Sequence, residues 1–178
     1  QVQIMHAVSK SFAGQKLKSV YPNLCNTELV LEDTSFDKIA NDSELVFTSL
    51  PHGLSAETAS FLYSKNVKII DLSGDFRYDD VKVYEEWYKV KHTHPEVLKE
   101  KVFGLPELYR DKIKKAKLIG NPGCYTTCSI LPLYPLLEAG LVSPKHIIID
   151  AKSGISGAGR SEKLAYTFCE TDESFKAY

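Results

Sequence analysis

Short apolar runs alternate with helical segments along this chain, and that alternation is what most constrains its fold. The run from Leu45 to Leu50 is almost wholly apolar, which is typical of strands buried in a parallel sheet. Similar patterns predict further strands at residues 2–8, 67–72, 117–120 and 146–151. Helical patterns cover residues 55–65, with Ser55 as N-cap, 84–88 and 125–139. We therefore expect an α/β protein with a mostly parallel sheet.

The domain organisation follows from a break in this pattern. A chain of 178 residues suffices for one domain or for parts of two. The stretch from residue 89 to residue 115 looks irregular and separates two parts that are rich in strand–helix units. We therefore place a boundary near residue 120, which gives one domain at 1–120 and a second at 121–178.

Composition excludes several classes of protein. The 22 Lys and Arg nearly balance the 23 Asp and Glu, so there is no overall electrostatic reason to bind nucleic acid or an anionic membrane. No apolar run is long enough for a transmembrane helix, and no signal-peptide pattern is visible. The four cysteines are scattered without a C-x-x-C pair, which favours free thiols in a reducing compartment. We expect a cytoplasmic enzyme.

Four loops that follow predicted strands combine glycine or serine with reactive or charged side chains. Ligand sites in parallel α/β sheets lie beyond the carboxyl ends of the strands, which makes these loops the candidate site segments. They comprise residues 49–53, 71–77, 120–125 and 153–160. Turns that only reverse the chain would not need the thiol of Cys124 or the guanidinium groups of Arg77 and Arg160.

Cys124 is the sharpest candidate because it stands after a strand and a Pro-Gly turn, where the last helix is expected to begin. Backbone N–H groups and the helix dipole favour a thiolate there, and the same N–H groups suit an oxyanion. The alternative is a small apolar residue at a tight junction, and both interpretations stay open. Cys128, one turn later, is expected in the core, and no partners at ligand spacing suggest a metal site.

The other candidates each have a structural alternative. Gly154, Gly157 and Gly159 expose N–H groups that suit a phosphate or a nicotinamide amide, but glycine-rich loops are also plain turns, and no G-x-G-x-x-G occurs. Arg77 and Arg160 either bind an anionic substrate or lie on the surface. His52 is either a neighbour of a helix cap or a cofactor contact, and residues 92–94 are expected to be a polar loop.

Taken together and in order, five motifs make the chain resemble the N-acetyl-γ-glutamyl-phosphate reductases. The motifs are Ser-Leu-Pro-His-Gly (49–53), Asp-Leu-Ser-Gly-Asp-Phe-Arg (71–77), Val-Phe-Gly-Leu-Pro-Glu-Leu (102–108), Gly-Asn-Pro-Gly-Cys-Tyr (120–125) and Ser-Gly-Ile-Ser-Gly-Ala-Gly-Arg (153–160). The resemblance runs through essentially the whole chain. It implies a Rossmann-type NADP-binding sheet, followed by the start of an α+β semialdehyde-dehydrogenase catalytic domain.

The resemblance also implies a reaction. NADPH would reduce an acyl phosphate to an aldehyde in arginine biosynthesis, with Cys124 attacking N-acetyl-γ-glutamyl phosphate and forming a thioester. Arg77, Asn121 and Arg160 would bind substrate. Ser9 and Lys10 would contact the 2′-phosphate of NADP, which a hydroxyl and a cation suit better than an acidic residue would. The remaining cofactor contacts would be Ser49, Pro51, His52, Gly53, Ser153, Ser156, Gly157 and Gly159.

Two departures from the family pattern shape further expectations. Members of the family have a strand and a glycine-rich turn before the segment at residues 2–8, and a Gly-Gly-His-Arg-His segment after the position of Tyr178. We therefore expect the chain to be truncated at both ends, inactive alone, and part of a homo-oligomer when full length. The alternatives are a sister reductase of aspartyl or aminoadipyl phosphate, a thiol acyltransferase or hydrolase, and a non-catalytic cofactor-binding fragment.

Overall fold

Four parallel strands form one sheet in the structure, a computed structural model that describes residues 2–159 and 163–176. The strands lie in the order β1-β2-β4-β3. Their bounds are Leu45–Thr48 for β1, Lys68–Asp71 for β2, Lys101–Phe103 for β3 and Leu118–Gly120 for β4. The expected parallel α/β fold is confirmed, and so are the strands predicted at residues 45–50, 67–72 and 117–120.

Helices connect and cover these strands. The α-helices are α1 Leu17–Val20, α2 Phe36–Asp42, α3 Ser55–Ser64, α4 Val81–Tyr88, α5 Pro95–Leu98, α6 Pro106–Lys115, α7 Cys124–Glu138 and α8 Phe168–Thr171. Short 3₁₀ helices lie at Pro22–Leu24, Ile155–Ala158 and Leu164–Tyr166. The helices predicted at 55–65, 84–88 and 125–139 are confirmed. The chain packs as two compact units, Gln1–Gly123 and Cys124–Tyr178.

The core of the first unit lies on one face of the sheet. Val46, Ile69 and Leu118 are in register across β1, β2 and β4, so their side chains share that face. Ala59 and Leu62 of α3 pack in the same cluster and are fully buried. Each large apolar side chain buried in this way contributes about 1.5–3 kcal/mol.

The beginning of α3 differs from the prediction. Leu54 is the N-cap and Ser55 is the first helical residue, so the predicted capping role of Ser55 is wrong. A leucine side chain has no acceptor for the unpaired N–H groups of the first turn. Asp75, from the loop after β2, supplies one by accepting from the Ala56 N–H at 2.9 Å. The Ser55 hydroxyl donates instead to the buried Asp71 carboxylate.

Residues 89–115 were expected to be irregular, but α5, β3 and α6 all lie there, so that expectation is wrong. β3 is only three residues long and half-buried throughout, so it has no apolar run to detect. α6 is dominated by charged side chains, which hide its single apolar stripe. Both elements therefore escape a search based on apolar patterns.

Residues 2–8 and 146–151 do not form strands, and those two predictions are wrong. Val8 makes an isolated parallel bridge with Glu32, and the segment is otherwise extended chain. Val2 is 93% exposed and Ile148 is 92% exposed. β-branched side chains favour strands only where a neighbour pairs the backbone N–H and C=O groups. Within the described residues, no strand lies beside either segment to provide that pairing.

The second unit is built on α7, which runs from Cys124 to Glu138 with Pro132 and Pro135 inside it. A proline lacks the N–H that would donate to the carbonyl four residues earlier, so α7 contains two gaps in its hydrogen-bond ladder. None of the residues described in this unit is buried. Cys128 is exposed as well, so its expected place in a core is wrong. No helix in the described ranges is long and apolar enough to cross a membrane.

Candidate active site

The loops after β1, β2 and β4 are joined at the carboxyl ends of the strands. The Leu72 N–H donates to Thr48 O at 2.8 Å, and the Asn121 N–H donates to Asp71 O at 2.8 Å. A Cβ on Gly120 would overlap the backbone carbonyl of Phe76, so only glycine allows the loop after β2 to close over β4. Polar residues from three loops thus meet at one edge of the sheet. We call them the carboxyl-end loops, residues 49–54, 72–77 and 121–123.

Gly53 ends the loop after β1 in a conformation that other residues rarely adopt. Its φ is +85°, and a Cβ there would lie 2.6 Å from Cγ1 of Val90. Its N–H donates to Asp75 at 2.8 Å to Oδ1 and 3.1 Å to Oδ2. The loop is therefore fixed at its end by a carboxylate of the neighbouring loop, while Ser49 and Pro51 remain exposed.

His52 is held in one tautomer by the same neighbouring loop. Its Nδ1 accepts a hydrogen bond from the Gly74 N–H at 2.8 Å, so the proton of the neutral ring is on Nε2. The ring lies against Tyr88, with 4.5 Å between the two centroids. His52 is exposed and presents an N–H donor at the carboxyl-end loops.

Arg77 connects two of the loops through backbone carbonyls. Its Nε donates to Asn121 O at 3.0 Å and its Nη2 to Leu72 O at 3.0 Å, while Nη1 contacts the Tyr88 hydroxyl at 3.5 Å. The guanidinium also lies against Gly123, where a Cβ would be 3.3 Å from Nη1. A guanidinium has five N–H donors, so these contacts leave one on each terminal nitrogen. Two N–H donors of a guanidinium are the number that bidentate binding of an anion requires.

Two buried carboxylates lie beneath the loops, and the sequence analysis missed both. Asp71 accepts from the hydroxyls of Thr48 at 2.7 Å and Ser73 at 2.6 Å, and from Ser55. Asp75 accepts from backbone N–H groups and from the Tyr84 hydroxyl at 2.8 Å. Both belong to the motif at residues 71–77, so the available signal was two acidic residues directly after an apolar strand.

Tyr84 and His92 were also missed as part of this network. Both are buried, and the His92 Nε2 lies 2.9 Å from Asp75 O. The His92 Nδ1 accepts from the His94 N–H at 3.2 Å, so Nε2 carries the proton and donates to Asp75 O. Burial, together with the bond to Asp75, raises the pKa of Tyr84 far above its usual value. The expected polar loop at 92–94 is thus anchored by a buried histidine.

Cys124 is the first residue of α7 and its thiol is exposed. A 15-residue helix places unpaired N–H groups and the positive end of its dipole at that residue. The Cys128 Sγ contacts Tyr125 O at 3.3 Å, inside the same helix. Along the chain, Cys124 directly follows Gly123 of the carboxyl-end loops.

The remaining predicted site residues lie elsewhere in the described chain. The Ser9 N–H donates to Glu32 O at 2.9 Å, and Lys10 beside it is exposed. Ser153, Ser156, Gly157 and Gly159 belong to the second unit and are exposed around its 3₁₀ helix at Ile155–Ala158. Arg160 lies outside the described residues. Within those residues, no group of three or more His, Cys, Asp or Glu side chains is placed to hold a metal.

The family is shown by comparison with known proteins. Residues 1–116 match the NAD-binding domain of semialdehyde dehydrogenases, and residues 124–178 match the semialdehyde dehydrogenase dimerisation domain. The chain belongs to the semialdehyde dehydrogenase family. It therefore consists of an NAD-binding domain followed by a dimerisation domain.

Several curated proteins that are similar to this chain are N-acetyl-gamma-glutamyl-phosphate reductases. The chain is 54% identical to that of Acetivibrio thermocellus, with 99% of this chain and 51% of the relative covered. It is 48% identical to that of Campylobacter jejuni strain 81-176 and 47% identical to that of Symbiobacterium thermophilum, each covering 100% of this chain and 51% of the relative. The predicted resemblance is confirmed. The chain spans about half the length of the curated relatives it matches.

Proposed function

We propose that this chain serves an NADPH-dependent reductase that converts N-acetyl-γ-glutamyl phosphate to N-acetylglutamate semialdehyde and phosphate in arginine biosynthesis. The observation that carries the proposal is Cys124, an exposed thiol on the first residue of α7, directly after the loop that ends β4. The names of the similar proteins specify the acyl phosphate, and the family match supports the nicotinamide cofactor.

Cys124 is the nucleophile in this proposal. Its sulfur attacks the acyl carbon of the substrate, the bond from that carbon to the phosphate oxygen breaks, and inorganic phosphate leaves with the bonding electrons. The product is a thioester on Cys124. N–H groups at the start of α7 suit the oxyanion that forms during the attack, because they are unpaired within the helix.

Arg77, Asn121 and Arg160 bind the substrate in this proposal. The support for Arg77 is its geometry: two backbone carbonyls fix the guanidinium, while one N–H on each terminal nitrogen stays available for phosphate oxygens. Asn121 adds the amide group of a residue that is already tied to Arg77 through its carbonyl. Arg160 is assigned by family resemblance as a partner of the substrate carboxylate.

The cofactor is NADP in this proposal. Ser9 and Lys10 pair a hydroxyl with an exposed ammonium, which is the donor chemistry that a ribose 2′-phosphate requires. Ser49, Pro51, His52 and Gly53 form an exposed loop with a fixed N–H donor on His52, which fits a polar dinucleotide. The exposed loop residues Ser153, Ser156, Gly157 and Gly159 complete the assignment. When bound, the reduced nicotinamide supplies the hydride that reduces the thioester to the aldehyde.

We further propose that the protein works as a homo-oligomer in the cytoplasm. The match of residues 124–178 to a dimerisation domain supports a second copy as partner. Apolar side chains of that unit are largely exposed, including Leu141 at 72% and Phe168 at 79%, which is typical of surfaces that another chain covers. All four cysteines are free thiols, which suits a reducing compartment.

The test is phosphate-dependent reduction of NADP⁺ by the purified full-length protein, with three semialdehydes offered side by side. N-acetylglutamate semialdehyde should be preferred over the aspartate and aminoadipate semialdehydes. Cys124→Ser should abolish the reaction, because an alcohol at this position is a far weaker nucleophile. Cys128→Ser is the matched control, since Cys128 is exposed on the same helix and should be dispensable.

Each other outcome identifies a different protein. Preference for another semialdehyde identifies a sister reductase. Acyl transfer or hydrolysis that depends on Cys124 and needs no nicotinamide identifies a thiol acyltransferase or hydrolase. Full activity in Cys124→Ser overturns the proposed nucleophile, whichever substrate is used.

A further inference from the structure

Two buried aspartates lie under the carboxyl-end loops, and the proposed reaction uses neither. Asp71 and Asp75 are both fully buried. Within the described residues, no cationic side chain pairs with either of them. A buried charge without a counter-ion persists only where several hydrogen-bond donors surround it. The donors that surround each carboxylate therefore show what it holds in place.

The two carboxylates hold different kinds of group. Asp71 accepts mainly from side-chain hydroxyls, those of Thr48, Ser55 and Ser73. A hydroxyl can rotate and either donate or accept. Asp75 accepts from the backbone N–H groups of Gly53 at 2.8 Å and Ala56 at 2.9 Å. A backbone N–H can only donate, so the Asp75 site requires an acceptor on both carboxylate oxygens.

Asp75 thereby connects two elements. Its Oδ1 fixes Gly53, at the end of the loop after β1, and its Oδ2 supplies the first turn of α3 with the acceptor that the N-cap Leu54 lacks. A negative charge at a helix N-terminus is favourable in addition. One carboxylate thus sets both the direction in which α3 begins and the conformation of the loop that precedes it.

Asp75 is itself held from two sides. The Tyr84 hydroxyl donates to its Oδ1 at 2.8 Å, and the His92 Nε2–H donates to its backbone carbonyl at 2.9 Å. Both rings are buried and meet edge to face, with centroids 5.1 Å apart. Tyr84 of α4 and His92 after it thus fix the position of the carboxylate, so it would not follow a movement of the loop after β1.

We infer that Asp75 is a positioning residue for the dinucleotide: it holds Gly53 and the preceding loop in the conformation that presents Ser49, Pro51 and His52 to the cofactor. The inference rests on the proposed function, because it needs that loop to contact NADPH. Asp75 itself is fully buried beneath that loop. Removal of the carboxylate should therefore weaken cofactor binding without changing the steps that take place after the cofactor is bound.

The test is the dissociation constant of NADPH, measured by fluorescence, for three full-length proteins: the original and two variants. In Asp75→Asn an amide NH₂ must face Gly53 or Ala56, so two donors oppose each other and the loop shifts. We expect the dissociation constant to rise roughly tenfold, as for the loss of one hydrogen bond to a charged group. In Asp71→Asn, the matched control, the hydroxyls can rotate to accept from the amide. We expect its dissociation constant to stay within about twofold of the original.

A second variant guards against poor folding of Asp75→Asn. Tyr84→Phe removes only the hydroxyl that orients Asp75 and should raise the NADPH dissociation constant by about threefold, with the far-ultraviolet circular dichroism spectrum unchanged. KM for the acyl phosphate at saturating NADPH should not change in either variant, whereas a general loss of structure would alter it.

The outcomes separate the inference from the proposed function. If the original protein binds no NADPH, the proposed function fails. If it binds NADPH and folded Asp75→Asn binds equally well, the positioning role is overturned; if Asp75→Asn does not fold, an unchanged constant in Tyr84→Phe overturns it. Equal weakening in Asp75→Asn and Asp71→Asn also overturns it, because the effect would then follow from burial alone.

Discussion

The first unit has a buried apolar core, whereas no residue described in the second unit is buried. Leu62, Ile69 and Leu118 are fully buried in the first unit, while Leu141 and Ile148 of the second are 72% and 92% exposed. Burial of apolar area is the main favourable term in folding. The comparison teaches that the sheet domain carries the buried core of the described chain, whereas the exposed thiol of Cys124 stands on a helix without a buried residue.

The largest effect should come from removing a core side chain in the first unit. Leu62→Ala takes away most of a fully buried side chain between α3 and the sheet, so the free energy of unfolding should fall by about 2–5 kcal/mol. Leu141→Ala is the matched change in the second unit and should stay within about 0.5 kcal/mol. Urea denaturation followed by circular dichroism measures both. Similar losses in the two variants would remove the contrast between the units.

A smaller effect on the free energy of unfolding is expected from replacing a glycine, because the space around Gly120 is filled and that around Gly154 is open. Gly120→Ala forces a methyl group against the backbone carbonyl of Phe76, which cannot move without opening the loop after β2. We expect a loss of about 1–3 kcal/mol in the free energy of unfolding. Around Gly154, in the second unit, a Cβ would meet nothing within 4 Å, and its φ of −69° suits alanine. Gly154→Ala should therefore leave the urea midpoint unchanged, and a shift like that of Gly120→Ala would contradict this account.

The smallest effect concerns the polar layer beneath the loops. Tyr84→Phe loses one buried hydrogen bond and should cost about 1 kcal/mol at neutral pH. Because the folded chain raises the pKa of Tyr84, it keeps this proton at a pH where the unfolded chain, with a value near 10.0, has lost it. The stabilisation is complete below about pH 10 and declines as the pH rises further.

The measurement for Tyr84 is a series of urea titrations from about pH 8 to pH 11. The free energy of unfolding should fall more steeply above pH 10 in the original protein than in Tyr84→Phe, because the other tyrosines contribute equally to both. Parallel curves for the two proteins would mean that Tyr84 titrates alike in the folded and unfolded states.

Apolar patterns predicted the parts of the fold that have a buried face. β1, β2 and β4 were found because each is a short apolar run, and α3 because its helical segment follows a clear breaker. β3 was missed because it is three half-buried residues. The false strand at 146–151 is as β-branched as the true ones, which shows that composition predicts a strand only where a partner is present.

The candidate site was predicted by segment more successfully than by residue. The glycine-rich loops after strands directed attention to residues 49–53 and 71–77, where the structure places His52 and Arg77 in tightly bonded positions. Asp75 was overlooked because its importance depends on which N–H groups donate to it, and those belong to Gly53 and Ala56, 22 and 19 residues earlier in the chain. Contacts of this kind join residues that are far apart in the sequence, so no local sequence pattern predicts them.

The two prolines of α7 have a consequence for how the protein reaches its native state. The Leu131–Pro132 and Tyr134–Pro135 peptide bonds lie inside a continuous helix, which requires both to be trans. An unfolded chain holds roughly 10–30% cis isomer at each such bond and exchanges it over tens of seconds or longer. Among molecules that have stayed unfolded long enough for this exchange, a fraction must therefore isomerise before α7 can form. In those molecules the sheet would be complete well before Cys124 stands at the start of a helix.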